Sequence, residues 1–236
     1  MLLTLYDENE NFCFSNRSGL IYVRGLGNID TEKFSIDMNE VELGSRKFKI
    51  RKAALEDVSG SLERGPQIIL PKDVSFIGFK MNLPFREKLL EIGGGNGGFS
   101  IMASLMFRVR IESYEINKDS FELLKRNINR FEVEGLVKAV NEDGMKAPIE
   151  EYEDVFIDSP EPHIFLEGKM ANVRNVGSIL PTYSQAEAFS RFMKENGFLV
   201  NIHEIVDIPI KMSESGLRPE SSFLYHTGFI VTANKW

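Results

Sequence analysis

Lys88-Leu89-Leu90-Glu91-Ile92-Gly93-Gly94-Gly95-Asn96-Gly97-Gly98 is the stretch on which the reading of this 236-residue chain turns. Leu89 to Ile92 is a short apolar run with the character of a buried strand. It meets a cluster of glycines, and Phe99-Ser100-Ile101-Met102-Ala103-Ser104-Leu105-Met106 then resumes with helical spacing. Strand, glycine turn and helix together bring backbone N–H groups and a helix N-terminus close to a ligand. Glycine is required where a Cβ would hold that ligand off or forbid positive φ. Gly93, Gly95 and Gly98 satisfy the dinucleotide spacing G-x-G-x-x-G, with Glu115 about 20 residues on. Glu91-x-Gly93-x-Gly95-x-Gly97 equally fits the turn of methyltransferases that use S-adenosylmethionine. The turn alone leaves both cofactors open.

Working outward, the chain after Asp73 alternates strands with helices, the signature of βαβ units on a mostly parallel sheet. Expected strands are Leu89–Ile92, Arg110–Tyr114, Val137–Val140, Val155–Asp158, Gly177–Leu180, Phe198–Ile205 and Gly228–Thr232. Helices are expected at Phe99–Phe107, Lys118–Phe131 and Tyr183–Glu195, the second capped by Asn117. Phe121, Leu124, Ile128 and Phe131 line one face of it. The last two strands, joined by a turn-rich Ser213–Ser222, read as a long antiparallel hairpin closing the sheet. Residues 1–70 read instead as a small β domain. Leu20–Val23 is a strand, Phe34-x-Ile36-x-Met38 alternates like another, and Val41–Ile50 forms a hairpin turning at Gly44-Ser45. Gly65-Pro66 and Leu70-Pro71 mark the junction, so the expected domains are 1–70 and 71–236.

The composition is that of a soluble globular protein, 42% hydrophobic and 27% charged. No run reaches the ~18 apolar residues of a membrane span, and Met1–Leu5 is too short for a signal peptide. One cysteine, Cys13, fits a reducing cytoplasm and is expected as a core residue between two phenylalanines. Three histidines in separate segments make a metal site unexpected. A net charge of −7 and a pI near 5.2 argue mildly against nucleic acid. Against that stands one dense basic cluster, Arg46, Lys47, Lys49, Arg51 and Lys52, either a solvated hairpin face or a phosphate contact.

Ligands of open parallel sheets lie over the carboxyl ends of the strands. Those ends carry Gly93, Gly95 and Gly97, then Glu115, then Glu142 and Asp143, then Asp158-Ser159-Pro160-Glu161-Pro162-His163. For S-adenosylmethionine, Glu115 is expected on the ribose hydroxyls, Asp143 on the adenine amine and Asp158 where methyl meets acceptor. Glu91 is expected to order the glycine loop.

At these residues the chain resembles the tRNA adenine-N1 methyltransferases, which make 1-methyladenosine in the T-loop at position 58 and in archaea also 57. The matching pieces are Gly65-Pro66-Gln67-Ile68-Ile69-Leu70-Pro71-Lys72-Asp73, the glycine loop, Tyr114-Glu115, Asp158-Ser159-Pro160-Glu161-Pro162, Leu180-Pro181-Thr182 with Gln185, and Arg218-Pro219 followed by His226-Thr227-Gly228-Phe229. Where that family usually has a tryptophan after Pro-x-Pro, this chain has His163. Where aromatics commonly precede Pro-Lys-Asp and Leu-Pro, it has Leu70 and Ile179.

The resemblance implies an α/β, Rossmann-like class I methyltransferase domain, with a seven-stranded mixed sheet and C-terminal antiparallel hairpin, behind a small all-β domain. It implies S-adenosylmethionine held by Gln67, Glu91, Gly93, Gly95, Asn96, Gly97, Glu115, Asp143 and Asp158, with Asp158 catalytic. Arg46, Lys47, Lys49, Arg218 and His226 are the expected RNA contacts, and tRNA and a homotetramer the expected partners. The competing readings are a small-molecule enzyme such as a precorrin methyltransferase, a NAD-dependent oxidoreductase, and a non-catalytic RNA-binding subunit.

Overall fold

The computed structural model describes residues 1–63, 65, 69–213, 216–221 and 224–235. The front of the chain forms β1 (Leu2–Tyr6), β2 (Asn11–Ser15), β3 (Leu20–Val23), β4 (Gly27–Asp30), β5 (Glu40–Leu43) and β6 (Arg46–Lys52). Four of these make an antiparallel sheet in the order β2-β1-β6-β5, and β3 pairs with β4 in a separate ribbon. Their apolar faces close over Leu3, Leu5, Phe14, Ile21, Val23, Phe34, Phe48 and Ile50.

Two helices follow, α1 (Leu55–Ser61) and α2 (Pro71–Lys80). Then come β7 (Lys88–Ile92), α3 (Gly98–Phe107), β8 (Arg110–Tyr114), α4 (Lys118–Phe131), β9 (Val137–Val140), β10 (Asp154–Ile157), α5 (His163–Leu166), β11 (Asn175–Leu180), α6 (Tyr183–Glu195), β12 (Leu199–His203), β13 (Ile210–Ser213), β14 (Gly216–Pro219) and β15 (Phe229–Asn234). Seven strands form one sheet, ordered β12-β15-β11-β10-β7-β8-β9. Six run in one direction, and β15 alone opposes them, pairing antiparallel with both β11 and β12. The seven-stranded mixed sheet and its closing hairpin are those expected from the sequence.

The central strands are apolar because both their faces are covered. Every residue of β10 and β11 is buried. On one face lie Ile77 of α2, Met102 of α3 and Leu124 of α4; on the other, Phe189 and Met193 of α6. Asn117 caps α4 as expected, its Oδ1 accepting from the N–H groups of Asp119 and Ser120. Ser18 and Arg130 tie the front strands to α4. The Ser18 hydroxyl donates to the carbonyls of Asn129 and Arg130, and the Arg130 guanidinium donates to those of Ser61 and Tyr22.

Three sequence expectations need correcting. Phe34-x-Ile36-x-Met38 is a loop, because Ser35 and Asp37 bond to one another through side chain and backbone and compete with a strand ladder. Residues 55–61 are helical within the span read as β. The segment read as turns before the last strand carries the extra hairpin β13–β14. No described helix is long and apolar enough to cross a membrane.

Candidate active site

Strand order reverses between β7 and β10, so the crevice over their carboxyl ends is the switch point at which such sheets take ligands. Gly93 follows β7 there with φ +88°, and a Cβ on it would stand 2.2 Å from the carbonyl oxygen of Asp158. The two loops are in backbone contact: the N–H of Asp158 also donates to the carbonyl of Ile92 at 2.9 Å. Gly97 has φ +88°, and a Cβ would stand 2.7 Å from both Ile101 and Leu124. Gly95 differs. Its φ is +53° and its missing Cβ faces open space, so the loop is packed below and bare above.

Three carboxylates surround this turn. Glu115 is buried, and its oxygens accept from the N–H groups of Gly95 at 2.8 Å and Asn117 at 2.7 Å. It therefore braces the glycine loop with two of its lone pairs and keeps others for a ligand. Glu91 lies fully inside, its Oε2 accepting from the Ser113 hydroxyl and its Oε1 buried without a hydrogen-bond partner. Burial pushes its pKa up to about 8; the Ser113 hydroxyl pulls it back, and Asp158 and Glu115 raise it further. At pH 7 that shift favours the protonated, neutral form of Glu91. Asp158 makes no hydrogen bond or ion pair through its carboxylate among the described residues. Burial, and then the charge of Glu115, raise its pKa to about 6.

Glu91 yields a testable consequence. The native state holds a proton that the unfolded chain has released between about pH 4.5 and 8, so stability falls as pH rises through that window. Glu91→Gln mimics the neutral acid. Its melting temperature at pH 5 is expected to match the wild type within a few degrees, and its decline toward pH 8 to be shallower. Parallel melting curves across that range would contradict a protonated Glu91.

Other expected site residues have internal duties. The side-chain amide of Asn96 donates to the Glu63 carbonyl and its oxygen accepts from the N–H of Gly98, so Asn96 shapes the loop from beneath. Asp143 accepts from the N–H of Met145 at 2.9 Å and starts a short 3-10 turn at the end of β9. Arg46 is bound by Asp7 and Glu10 and lies over Phe48, which neutralises its charge within the front sheet. Lys47 pairs loosely with Glu40, and Lys49 is exposed. Arg218 is exposed on β14, away from the glycine loop in sequence and sheet. His226 is a brace: its ring nitrogens sit 2.6 Å from Glu204 and 3.0 Å from the Pro181 carbonyl, and both partners raise its pKa. Gln67 lies outside the described residues.

Sequence reasoning missed two exposed apolar side chains at the same strand ends, Ile116 after Glu115 and Met145 after Asp143. Their signal was available: each is an apolar residue in a polar loop, one or two positions beyond an acid that follows a strand. It also missed how Gln185 donates to the Pro160 carbonyl and so ties the start of α6 to the Asp158 loop. A groove of 1140 Å³ opens elsewhere, between β1–β2 and α1, lined by Asp7, Glu10, Arg51, Glu63 and Arg130 among others. It contains neither the glycine loop nor Asp158, and the chemistry favours the strand ends.

No family model matches the chain. A curated relative from Methanocaldococcus jannaschii, tRNA (adenine(57)-N(1)/adenine(58)-N(1))-methyltransferase TrmI, is 25% identical over 249 aligned positions, covering 86% of this chain and 88% of the relative. Among solved structures, the tRNA (m1A58) methyltransferase TrmI of Aquifex aeolicus superposes with a TM-score of 0.76 at 24% identity, covering 100% of this chain and 97% of that one. A SAM-dependent O-methyltransferase from Thermotoga maritima gives 0.77 at 20% identity, covering 99% and 92%. A precorrin-6y C5,15-methyltransferase from Geobacter metallireducens gives 0.60 at 19% identity and covers only 74% of this chain. The chain thus has the class I methyltransferase fold behind a small β unit, and along most of its length it is similar to the tRNA adenine-N1 methyltransferases.

Proposed function

We propose that this protein transfers a methyl group from S-adenosylmethionine to N1 of an adenine in the T-loop of tRNA, at position 58, with position 57 as the second site named for the archaeal relative. The observation that carries the reading is the bare glycine loop at the switch point, beside the Asp158 carboxylate, which meets no partner among the described residues. Similarity to the archaeal relative along 86% of the chain supplies the substrate class.

The residues fit the cofactor: Gly95 leaves room for close backbone approach, and Glu115 retains acceptor capacity. Asp143 is assigned to the adenine amine, with Ile116 and Met145 giving apolar surface to the adenine ring. Gln67 completes the set by resemblance. When bound, the cofactor supplies an electrophilic methyl on a sulfonium leaving group.

Adenine N1 faces its pairing partner, so the base must first be extracted. N1 brings its own lone pair and needs no strong base. Asp158 accepts a hydrogen bond from the exocyclic amine, which enriches N1 and fixes its aim. Its stiff Pro160 and Pro162 loop, held by Gln185, keeps that carboxylate in place.

Residues 1–70 are proposed as an RNA-contacting unit through Lys47 and Lys49, with Arg218 as a further contact. A homotetramer would pool basic groups from several copies of an acidic chain, and tRNA modification fits the cytoplasm. The second reading, a small-molecule methyltransferase, draws on the acidic pI and the precorrin enzymes, but those cover only 74% of this chain.

Mass spectrometry of nucleosides from tRNA incubated with the protein and S-adenosylmethionine tests the proposal. 1-Methyladenosine is the expected product; unmodified tRNA would overturn it. Binding of labelled S-adenosylmethionine but not NAD is expected in parallel.

A further inference from the structure

The ammonium of Lys72, in the first turn of α2, is held by three acceptors from three segments. It donates to Asp73 at 2.8 Å, to the Ile205 carbonyl beyond β12 at 2.6 Å, and to the Thr227 hydroxyl before β15 at 2.7 Å. Three donors meet three acceptors. The side chain is only 14% exposed and that of Asp73 is fully buried, with one carboxylate oxygen left unpartnered. Burying such a pair costs desolvation that its attraction roughly offsets, so stability alone does not account for it.

The linkage continues towards Asp158. His226, next to Thr227, binds Glu204 and the Pro181 carbonyl. Gly228 passes so close to β11 that a Cβ would stand 2.8 Å from Ile179 and 3.2 Å from the Leu180 carbonyl. Pro181 opens the turn into α6, where Gln185 reaches the Pro160 carbonyl of the Asp158 loop. Separate hydrogen bonds joined by short runs of backbone therefore lead from α2, past both arms of the closing hairpin, to the loop that carries Asp158.

Resting on the methyl-transfer reading above, we propose that Lys72 is a positioning residue: it clamps the 205 and 227 segments to α2 and thereby sets the wall adjoining Asp158. It touches neither methyl donor nor base. Removing the clamp shifts that wall, and misplacement on the order of 1 Å at a reacting centre costs up to ~100-fold in rate.

The test compares Lys72→Met, Thr227→Val and Thr227→Ser by melting temperature, calorimetric binding of S-adenosylmethionine, and kcat and KM on tRNA. Cofactor affinity is expected to stay within about twofold in all three. Lys72→Met is expected to lower kcat at least ~10-fold and Thr227→Val about threefold, whereas Thr227→Ser, which keeps the hydroxyl, recovers wild-type kcat. The Lys72→Met/Thr227→Val double variant is expected to match Lys72→Met alone, since both remove one linkage. Should Lys72→Met fail to fold, the two Thr227 variants decide. An unchanged kcat in folded variants, a rise in KM alone, or effects that multiply in the double variant would overturn the proposal. Wild-type protein that neither binds the cofactor nor methylates tRNA would overturn the functional reading beneath it, a separate and distinguishable result.

Discussion

Asp158→Asn is expected to slow methyl transfer ~100-fold, about 2.7 kcal/mol of transition-state stabilisation, with S-adenosylmethionine affinity held within about twofold. The carboxylate is an acceptor only, whereas the asparagine amide brings N–H groups that oppose the amine of the base. The pH profile follows from the same group. Its pKa is raised to about 6 by burial and by Glu115, so the accepting form is lost below that value and kcat is expected to climb through pH 6 to a plateau. In the asparagine variant that rise should vanish. Stability separates this from a folding defect. An acid whose pKa is raised on folding costs the native state once ionised, so stability declines between about pH 4 and 6. Asparagine removes that cost, and at pH 7 the variant is expected to melt no lower than the wild type. A variant that folds, binds the cofactor and turns over at the wild-type rate would remove Asp158 from the mechanism.

The central sheet was legible because its strands are short apolar runs ending in glycine or acid, and because β15 follows a long turn-rich break. α4 was legible because Leu124, Ile128 and Phe131 repeat with helical period and Asn117 caps them. The front sheet was legible only in part. β1 and β2 pair across the polar turn Asp7–Glu10, where the Asp7 side chain accepts from the N–H groups of Asn9 and Glu10 in a local turn that no glycine or proline marks. β13–β14 was hidden because its residues are largely exposed and show no buried face.

At the candidate site the strand-end acids could be placed from order alone, while their division of labour could not. Nothing in the residue string tells that Asn96 turns down to Glu63, that Arg46 is neutralised by two acids 36 and 39 residues away, or that Lys72 reaches across 155 residues to Thr227. Those are partner choices made by packing. Glu91 shows the same limit, since its raised pKa comes from burial that only the assembled sheet provides.

Gly93→Ala and Gly95→Ala, two methyl groups two residues apart, are expected to fail in different ways. At Gly93 the new Cβ would lie 2.2 Å from a backbone carbonyl, that of Asp158, which is itself stitched to Ile92. No side chain can swing aside, and the positive φ adds strain. Overpacking costs roughly 1–3 kcal/mol and the left-handed backbone about 1–2 more, so a loss of about 3 kcal/mol is expected. For a chain of this length that is a fall of about 10 °C in melting temperature. Cofactor binding and turnover should be lost with it, because the Asp158 loop must move. At Gly95 the methyl meets nothing within 4 Å, and only the φ of +53° penalises it, at about 1 kcal/mol. The fold should survive. Cofactor affinity is nevertheless expected to drop at least ~10-fold, because the methyl occupies the bare face where the ligand's closest approach to backbone lies. Calorimetry beside thermal melts reads both effects. A Gly95→Ala protein that binds S-adenosylmethionine as tightly as the wild type would place the cofactor somewhere other than over this turn, whatever the Gly93 variant did.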